Sequence, residues 1–319
     1  EPRPGEAHSE VPPRGEMRIH ADLAREALRR RICDPLGLDL PEAASSIVEI
    51  SNSIMAKILR MVSVERGYDP RSFSLIAFGG AGPMHACALA EELGIPLIVV
   101  PVNPGLFSAM GLLVSDVVHI YLRAVMRTAD EVSPSDLEEA FRELEGKGER
   151  LLGEDGFPQE RMVFLRELDM RYIGQSYELS IPAPRPLSEG GFRGVVGLFH
   201  ERHRGVYGYA AEGEAVEVVN VRLRAVGVMA KPRLRTYPEE GPEPKRGSVV
   251  ERREVFFEAL DDYTECPVYR RARLAPGNRV EGPAIIEQYD STTVLYPGWK
   301  AHVDEFRNLR LTPIGQEEG

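Results

Sequence analysis

The chain has 319 residues, 43% of them hydrophobic and 28% charged, with 39 Lys and Arg against 50 Asp and Glu for a net charge of −11. That length suggests about two domains, and the composition supplies an ordinary soluble core. The acidic balance argues against a general grip on nucleic-acid phosphates or on anionic membrane surfaces, so neither nucleic acid nor membrane is expected as a partner.

Residues 1–16 hold four prolines, two glycines and several charges, and read as a flexible N-terminal segment. Glu1 in place of Met points to a processed, trimmed or excerpted chain, and no secretory signal opens it. A helix is expected over 22–33, stopping near Pro35 and Gly37. The next helix is better marked. Asp39 and Glu42 have capping-box spacing, and Ile47, Ile50, Ile54, Ile58 and Met61 recur at three- and four-residue steps as its apolar face, up to about Gly67. Phe73 to Phe78 reads as a buried parallel strand, followed by the turn Gly79-Gly80-Ala81-Gly82 and a helix from Pro83 to about Leu93.

From Leu93 to Ser115 there is no charged side chain, long enough to span a bilayer. Pro96, Pro101 and Pro104 break it, however, and it reads instead as a buried strand (95–100), a turn and a helix (107–114). Strands are then expected over 117–126, 162–172, 177–181, 216–229, 253–258, 284–288 and 292–296, with helices over 134–153 and 191–207. Residues 232–247, rich in Pro, Gly and charge, read as an exposed linker or long loop. Cys33, Cys87 and Cys266 have no Cys-x-x-Cys or Cys/His spacing, which argues against zinc or a disulfide framework. They read as small buried hydrophobes and suit a reducing, cytoplasmic location.

The sharpest local signal is the strand-to-helix turn Gly79-Gly80-Ala81-Gly82. Without Cβ atoms its backbone N–H groups can approach a ligand, and the following helix points its positive end at the same spot. Alone the pattern is common in structural turns, and it is neither a Walker loop nor the GxGxxG of dinucleotide folds. The helix rich in small residues after it, the strand ending in Val-Pro, and the helix Phe107-Ser-Ala-Met-Gly-Leu-Leu resemble the end of the second lobe of actin-like (ASKHA) ATPases, where a Gly-Gly turn lies beside adenosine.

FGGAGPMHACALAEELGIP (78–96) and VPVNPGLFSAMGLLVSD (100–116), with MVSVERGYDPRSF (61–73), RYIGQSYEL (171–179) and GPAIIEQYDSTTVLYPGW (282–299), resemble the HyuA side of the hydantoinase/5-oxoprolinase family, over nearly all of the chain from Gly15 to Leu311. That family includes N-methylhydantoinases, 5-oxoprolinases and subunits of acetone and acetophenone carboxylases. The resemblance implies an α/β fold, the C-terminal part of an actin-like lobe over 17–118, followed by a β-rich α+β domain over 119–319. It implies an ATP-dependent hydrolase that opens a cyclic amide after phosphorylating its oxygen, with ATP as cofactor and a HyuB-like subunit as partner.

The family's Asp-x-Gly-Gly-Thr phosphate loop is absent, so the chain resembles the C-terminal half alone, a split subunit or a fragment, inactive by itself. On this reading Mg or another divalent ion is held mainly by a complementary N-terminal HyuA-like half. Gly79, Gly80, Ala81 and Gly82 carry over as nucleotide-binding residues, on the adenosine side. An ATP-dependent ketone carboxylase subunit and a non-catalytic interaction subunit remain as alternatives.

Other candidates are weaker. Asn52 could face a base or ribose, or solvent. His85, in the first turn of its helix, reads as a neutral hydrogen-bonding side chain. Asp116 and His119 fall on opposite faces of a strand and read as domain-junction residues. Arg171, Tyr172, Gln175, Ser176 and Tyr177 flank Gly174 in an expected hairpin that could meet a partner subunit. Asp290 to Thr293 form either a turn or the edge of a polar pocket. His200 and His203, three apart without a third ligand, and the charges from Glu138 to Arg150 read as solvated helix faces.

Overall fold

The computed structural model describes residues 20–315, so the expected segment 1–16 lies outside the described residues. Helix α1 (Ala21–Leu28) runs through a π-helical turn (Arg29–Cys33) into the short α2 (Asp34–Leu36), and Gly37 ends it in the left-handed region. The stop was legible from Pro35 and Gly37; the π turn was not. Asp39 caps α3 (Leu40–Val62) by accepting the Glu42 N–H at 2.8 Å, as the capping-box spacing predicts.

Strand β1 (Ser74–Ile76), helix α4 (Gly82–Leu93) and strand β2 (Leu97–Val100) form a parallel β-α-β crossover, with Ser74 opposite Leu97. The stretch from Leu93 to Ser115 resolves into β2, a short 3₁₀ turn and α5 (Phe107–Val114). No helix among the described residues is long and apolar enough to cross a membrane.

The chain then forms β3 (Val117–Thr128), α6 (Pro134–Glu154), β4 (Met162–Tyr172), β5 (Leu179–Pro182), α7 (Glu189–Tyr207) and β6 (Val216–Gly227). These strands make one antiparallel sheet in the order β3-β6-β4-β5. Phe141 and Leu144 of α6 and Phe192 and Phe199 of α7 pack with Leu168, Met170, Val218 and Leu223 of the sheet as a single core. The charge run on α6 is not wholly solvated, contrary to expectation. Glu138 and Glu145 turn onto the buried Arg166, at 2.6 and 2.7 Å, and the Arg166 guanidinium lies 4.9 Å from the centre of the Phe141 ring.

No helix or strand forms between 228 and 248, in keeping with the expected linker. Seven strands follow: β7 (Val249–Phe257), β8 (Asp262–Arg270), β9 (Arg279–Glu281), β10 (Ala284–Glu287), β11 (Thr292–Leu295), β12 (Trp299–Val303) and β13 (Leu309–Pro313). The sequence reading missed β8, β9, β12 and β13, because Pro267 and short polar alternations mask them.

These strands correct the expected domain plan. β13 pairs antiparallel with β2, Leu309 opposite Val100, so the actin-like sheet reads β1-β2-β13-β12-β9, while β11-β10-β8-β7 form a second sheet. Among the described residues the compact units are therefore those up to Leu112 together with those from Arg233 onward, and separately Leu113–Pro232. The expected single domain over 119–319 divides because Ile98 and Val100 bury themselves against Ala301, Val303, Leu309 and Leu311.

Two further expectations change. β1 is an edge strand rather than a buried one, with Phe73, Ile76 and Phe78 about half exposed. The apolar stripe of α3 is exposed as well: the helix buries only Ala43, Asn52 and Ala56, while Ile50, Ile54 and Ile58 are 62%, 59% and 54% exposed.

Candidate functional site

Parallel strands present ligands at their carboxyl ends, where the chain leaves the sheet for a helix. At that end of β1 and β2 three loops of one unit converge: the bend 79–82, the β2–α5 connection around Pro104 and Gly105, and the β10–β11 turn around Asp290 and Ser291. The Gly79 N–H donates to the Pro104 carbonyl at 2.8 Å, and Gly105 N–H donates to Asp290 Oδ2 at 2.8 Å. The buried Ser291 hydroxyl lies 3.2 Å from the Gly79 carbonyl oxygen and 3.1 Å from that of Gly80, so it donates to them from behind the bend. Gln288 closes the set by donating to Asp290 Oδ1 at 2.6 Å and to the Val102 carbonyl at 3.3 Å.

Glycine is required at two of these positions for different reasons. Gly79 has φ +84°, where an L side chain is strained. A Cβ at Gly105 would lie 2.7 Å from the Asp290 side chain and 2.9 Å from its carbonyl oxygen, so only glycine admits the close approach of the two loops. Gly80 and Ala81 stay exposed, and a Cβ at Gly80 would meet the Asp290 carbonyl oxygen at an ordinary 3.7 Å. The bend thus has a carbonyl side fixed by Ser291 and an open face at the start of α4, flanked by Phe78 and Phe107 with ring centres 5.3 Å apart.

Both Asp290 carboxylate oxygens and the Gly79 and Gly80 carbonyls thus each have a donor from a neighbouring loop. From the sequence alone Asp290 and Ser291 read as a turn or a pocket edge. Nothing local in the sequence ties Ser291 to Gly79, 212 positions away.

The structure joins Asn52 and His85, which the sequence reading treated separately. Asn52 is buried, not solvent-facing, and its Oδ1 lies 2.8 Å from His85 Nδ1. An amide oxygen only accepts, so the imidazole carries a hydrogen on Nδ1 and is oriented by α3. Both side chains border a groove of about 760 Å³ between α3, α4 and the β7–β8 hairpin.

Asp116 and His119 are kept apart. Asp116 accepts from the Met229 N–H at 2.9 Å and from Lys231 at 2.6 Å, which hold its carboxyl below the ordinary range, Lys231 foremost, while His119 pairs with Asp155 at 2.6 Å. Gly174, at φ +85°, turns the expected β4–β5 hairpin. Arg171 pairs with Glu217 at 2.7 Å, and Tyr177 is exposed.

His200 and His203 are not a solvated face. Tyr172 OH lies 2.7 Å from His200 Nδ1. His203, only 1% exposed, bonds the Tyr209 carbonyl at 2.8 Å and the Gln175 side-chain amide at 3.1 Å. The signal was present in the aromatic residues spaced along α7 and β4, but hydrophilic neighbours disguised it. Among the described residues no group of three or more His, Cys, Asp or Glu is arranged to hold a metal. All three cysteines are buried and free, and burial pushes the Cys87 thiol up to about 12, far from a reactive thiolate.

Comparison with known proteins decides the family. The hydantoinase/oxoprolinase family model matches residues 5–121, and the hydantoinase/oxoprolinase C-terminal domain matches residues 126–314. The chain belongs to the hydantoinase/oxoprolinase family.

An uncharacterized protein of Methanocaldococcus jannaschii is 38% identical over 297 residues, 93% of this chain and 42% of that protein. The caprolactamase alpha subunit of Pseudomonas jessenii is 32% identical over 94% of this chain and 43% of the subunit. The crystal structure of the ATP-dependent caprolactamase from that organism superposes with a TM-score of 0.81 at 30% identity, covering 97% of this chain and 45% of its own. The nucleotide-free structure of an acetone carboxylase superposes with a TM-score of 0.71 at 26% identity, covering 94% and 44%. The mixed α/β architecture is thus the ASKHA-like fold of this family of ATP-dependent enzymes. The chain spans less than half the length of the relatives it matches.

Proposed function

We propose that this hydantoinase/oxoprolinase chain supplies the adenosine-facing wall of the nucleotide site in an ATP-dependent cyclic-amide hydrolase of the hydantoin- and 5-oxoproline-opening kind. The observation that carries this reading is the bend Gly79-Gly80-Ala81-Gly82, open on one face and anchored on the other by Ser291. In this role the bend's backbone lies against the nucleoside, Ser291 fixes its curvature, and Asp290 ties the bend's neighbouring loop to the β10–β11 turn. ATP, when bound, supplies the phosphoryl group that makes an inert amide oxygen a leaving group.

The phosphates and the Mg or other divalent ion belong, on this reading, mainly to a complementary N-terminal HyuA-like half, and ring opening involves a HyuB-like subunit. Support for the complementary half comes from the uncovered stripe of α3 and the edge strand β1, together with relatives more than twice as long as the aligned chain. The free, buried thiols support a cytoplasmic setting.

A second reading, an ATP-dependent ketone carboxylase subunit, draws on the acetone carboxylase likeness. The hydrolase is favoured by the higher identity and TM-score against caprolactamase. Reconstitution with the complementary half and a HyuB-like subunit tests both. Phosphate release driven by ε-caprolactam, hydantoin or 5-oxoproline is the expected result. Turnover that requires a ketone and bicarbonate instead would assign the carboxylase, and a stable complex that binds no ATP would leave an interaction subunit.

A further inference from the structure

A concentration of cations lies elsewhere in the unit that holds the bend. The loop leading to β7, the Arg271–Arg273 turn after β8 and the β12–β13 turn enclose a groove of about 430 Å³. Its charged wall is Lys245, Arg246, Arg273 and Arg307, against the single carboxylate of Glu240, in a chain whose net charge is −11. Lys245 pairs with Glu240, and Arg273 donates to the Gly247 carbonyl.

Two features show that this clustering is built into the fold. First, Arg307 occupies the left-handed region at φ +67°, a position in the β12–β13 turn that glycine would fill without strain. Asp304 holds the turn by accepting the Phe306 and Asn308 N–H groups at 3.0 and 2.7 Å. The Arg307 guanidinium lies 5.6 Å from the centre of the Tyr237 ring, which Arg235 also covers at 4.9 Å.

Second, Arg271 is buried beside Arg307. Its Nη2 donates to the Arg307 carbonyl, while its buried Nη1 has no hydrogen-bond partner among the described residues. Burial first, and the Arg307 charge second, push the Arg271 guanidinium down to about 9, with Asp304 offsetting only part of this. Arg271 does not line the groove itself; it holds the turn that carries Arg307 from within the core.

We propose that this groove binds a phosphate-type oxyanion, either the free ion or the phosphate group of a nucleotide. Phosphate carries close to two negative charges at neutral pH and three equivalent oxygens, which suits several guanidinium forks better than a singly charged planar carboxylate. None of these residues belongs to the glycine bend, so the proposal stands whether or not the bend binds a nucleoside.

The test is calorimetric titration of the full chain at low ionic strength with inorganic phosphate, with ADP, and with acetate as the singly charged control. Saturable phosphate binding that acetate does not reproduce is expected. Arg307→Gly should weaken it at least tenfold while leaving the unliganded Tm equal or higher, because glycine relieves the positive φ. Arg246→Ala should weaken it in the same direction, and Gly80→Val should leave it unchanged. ADP binding that falls in Arg307→Gly would place the phosphate on a nucleotide, whereas a response confined to inorganic phosphate would assign the free ion. Equal binding of acetate, or undiminished phosphate affinity in both arginine variants, would overturn the proposal.

Discussion

Helices α3 and α6 carry the same helical spacing of apolar residues, and the fold treats them in opposite ways. α6 lays Leu137, Ala140, Phe141 and Leu144 into the core beneath its sheet and draws two of its carboxylates onto the buried Arg166. α3 packs through Ala43, Asn52 and Ala56 and leaves Ile50, Ile54 and Ile58 in the open. Burying one such side chain is worth about 1.5–3 kcal/mol, so the α3 stripe forgoes stabilisation of the size that α6 realises. Periodicity marks which face of a helix is apolar; it does not say which polypeptide covers it. In relatives more than twice as long as the aligned segment, there is further chain available to do so.

The largest effect separating the two helices should come from the ion cluster under α6. Arg166→Ala leaves Glu138 and Glu145 without their buried partner and should cost about 3–5 kcal/mol in urea unfolding at neutral pH. That gap should narrow in acid. Burial pushes the Glu138 carboxyl up, but Arg166, the Leu187 N–H and Arg142 together hold it at about 2, against an ordinary 4.5. A carboxyl depressed on folding stabilises above its ordinary value and loses that contribution as pH falls through its folded value. The wild type should therefore approach the variant between pH 4.5 and about 2. A gap independent of pH would mean that the cluster contributes packing alone.

A smaller stability effect, with a large effect on assembly, is expected on α3. Ile54→Asp should change the stability of the isolated chain by no more than about 0.5 kcal/mol, because the side chain is mostly exposed. The same change should weaken association with the complementary half at least tenfold by sedimentation. Loss of stability without loss of association would reverse the contrast drawn between the two helices.

Much of this architecture could be read in advance, for identifiable reasons. The Asp39 cap, the α4 start at Pro83, α5, α6 and β4 follow from local chemistry: a side chain that caps, a ring that fixes φ, a period that a helix or strand imposes. What escaped depends on partners far along the chain. β13 completes the sheet of β2 across more than two hundred residues, Ser291 ties the Gly79 and Gly80 carbonyls, and Asn52 orients His85. The buried Arg166 and His203 escaped for a related reason, since a charged or polar side chain reads as solvated until its partners are seen. At the candidate site, the glycines themselves were visible and the loops that hold them were not.

The account rests on the bend after Phe78 forming one wall of a nucleoside pocket completed by a complementary half. Calorimetric titration of ATP into the reconstituted complex, wild type against Gly80→Val, tests this most directly. The Cβ at position 80 would meet the Asp290 carbonyl oxygen only at 3.7 Å, so the fold should be retained by circular dichroism while the branched side chain occupies the open face of the bend. The account predicts at least a tenfold loss of ATP affinity with an unchanged spectrum. Equal affinity in the folded variant would remove the bend from the nucleotide site and contradict it.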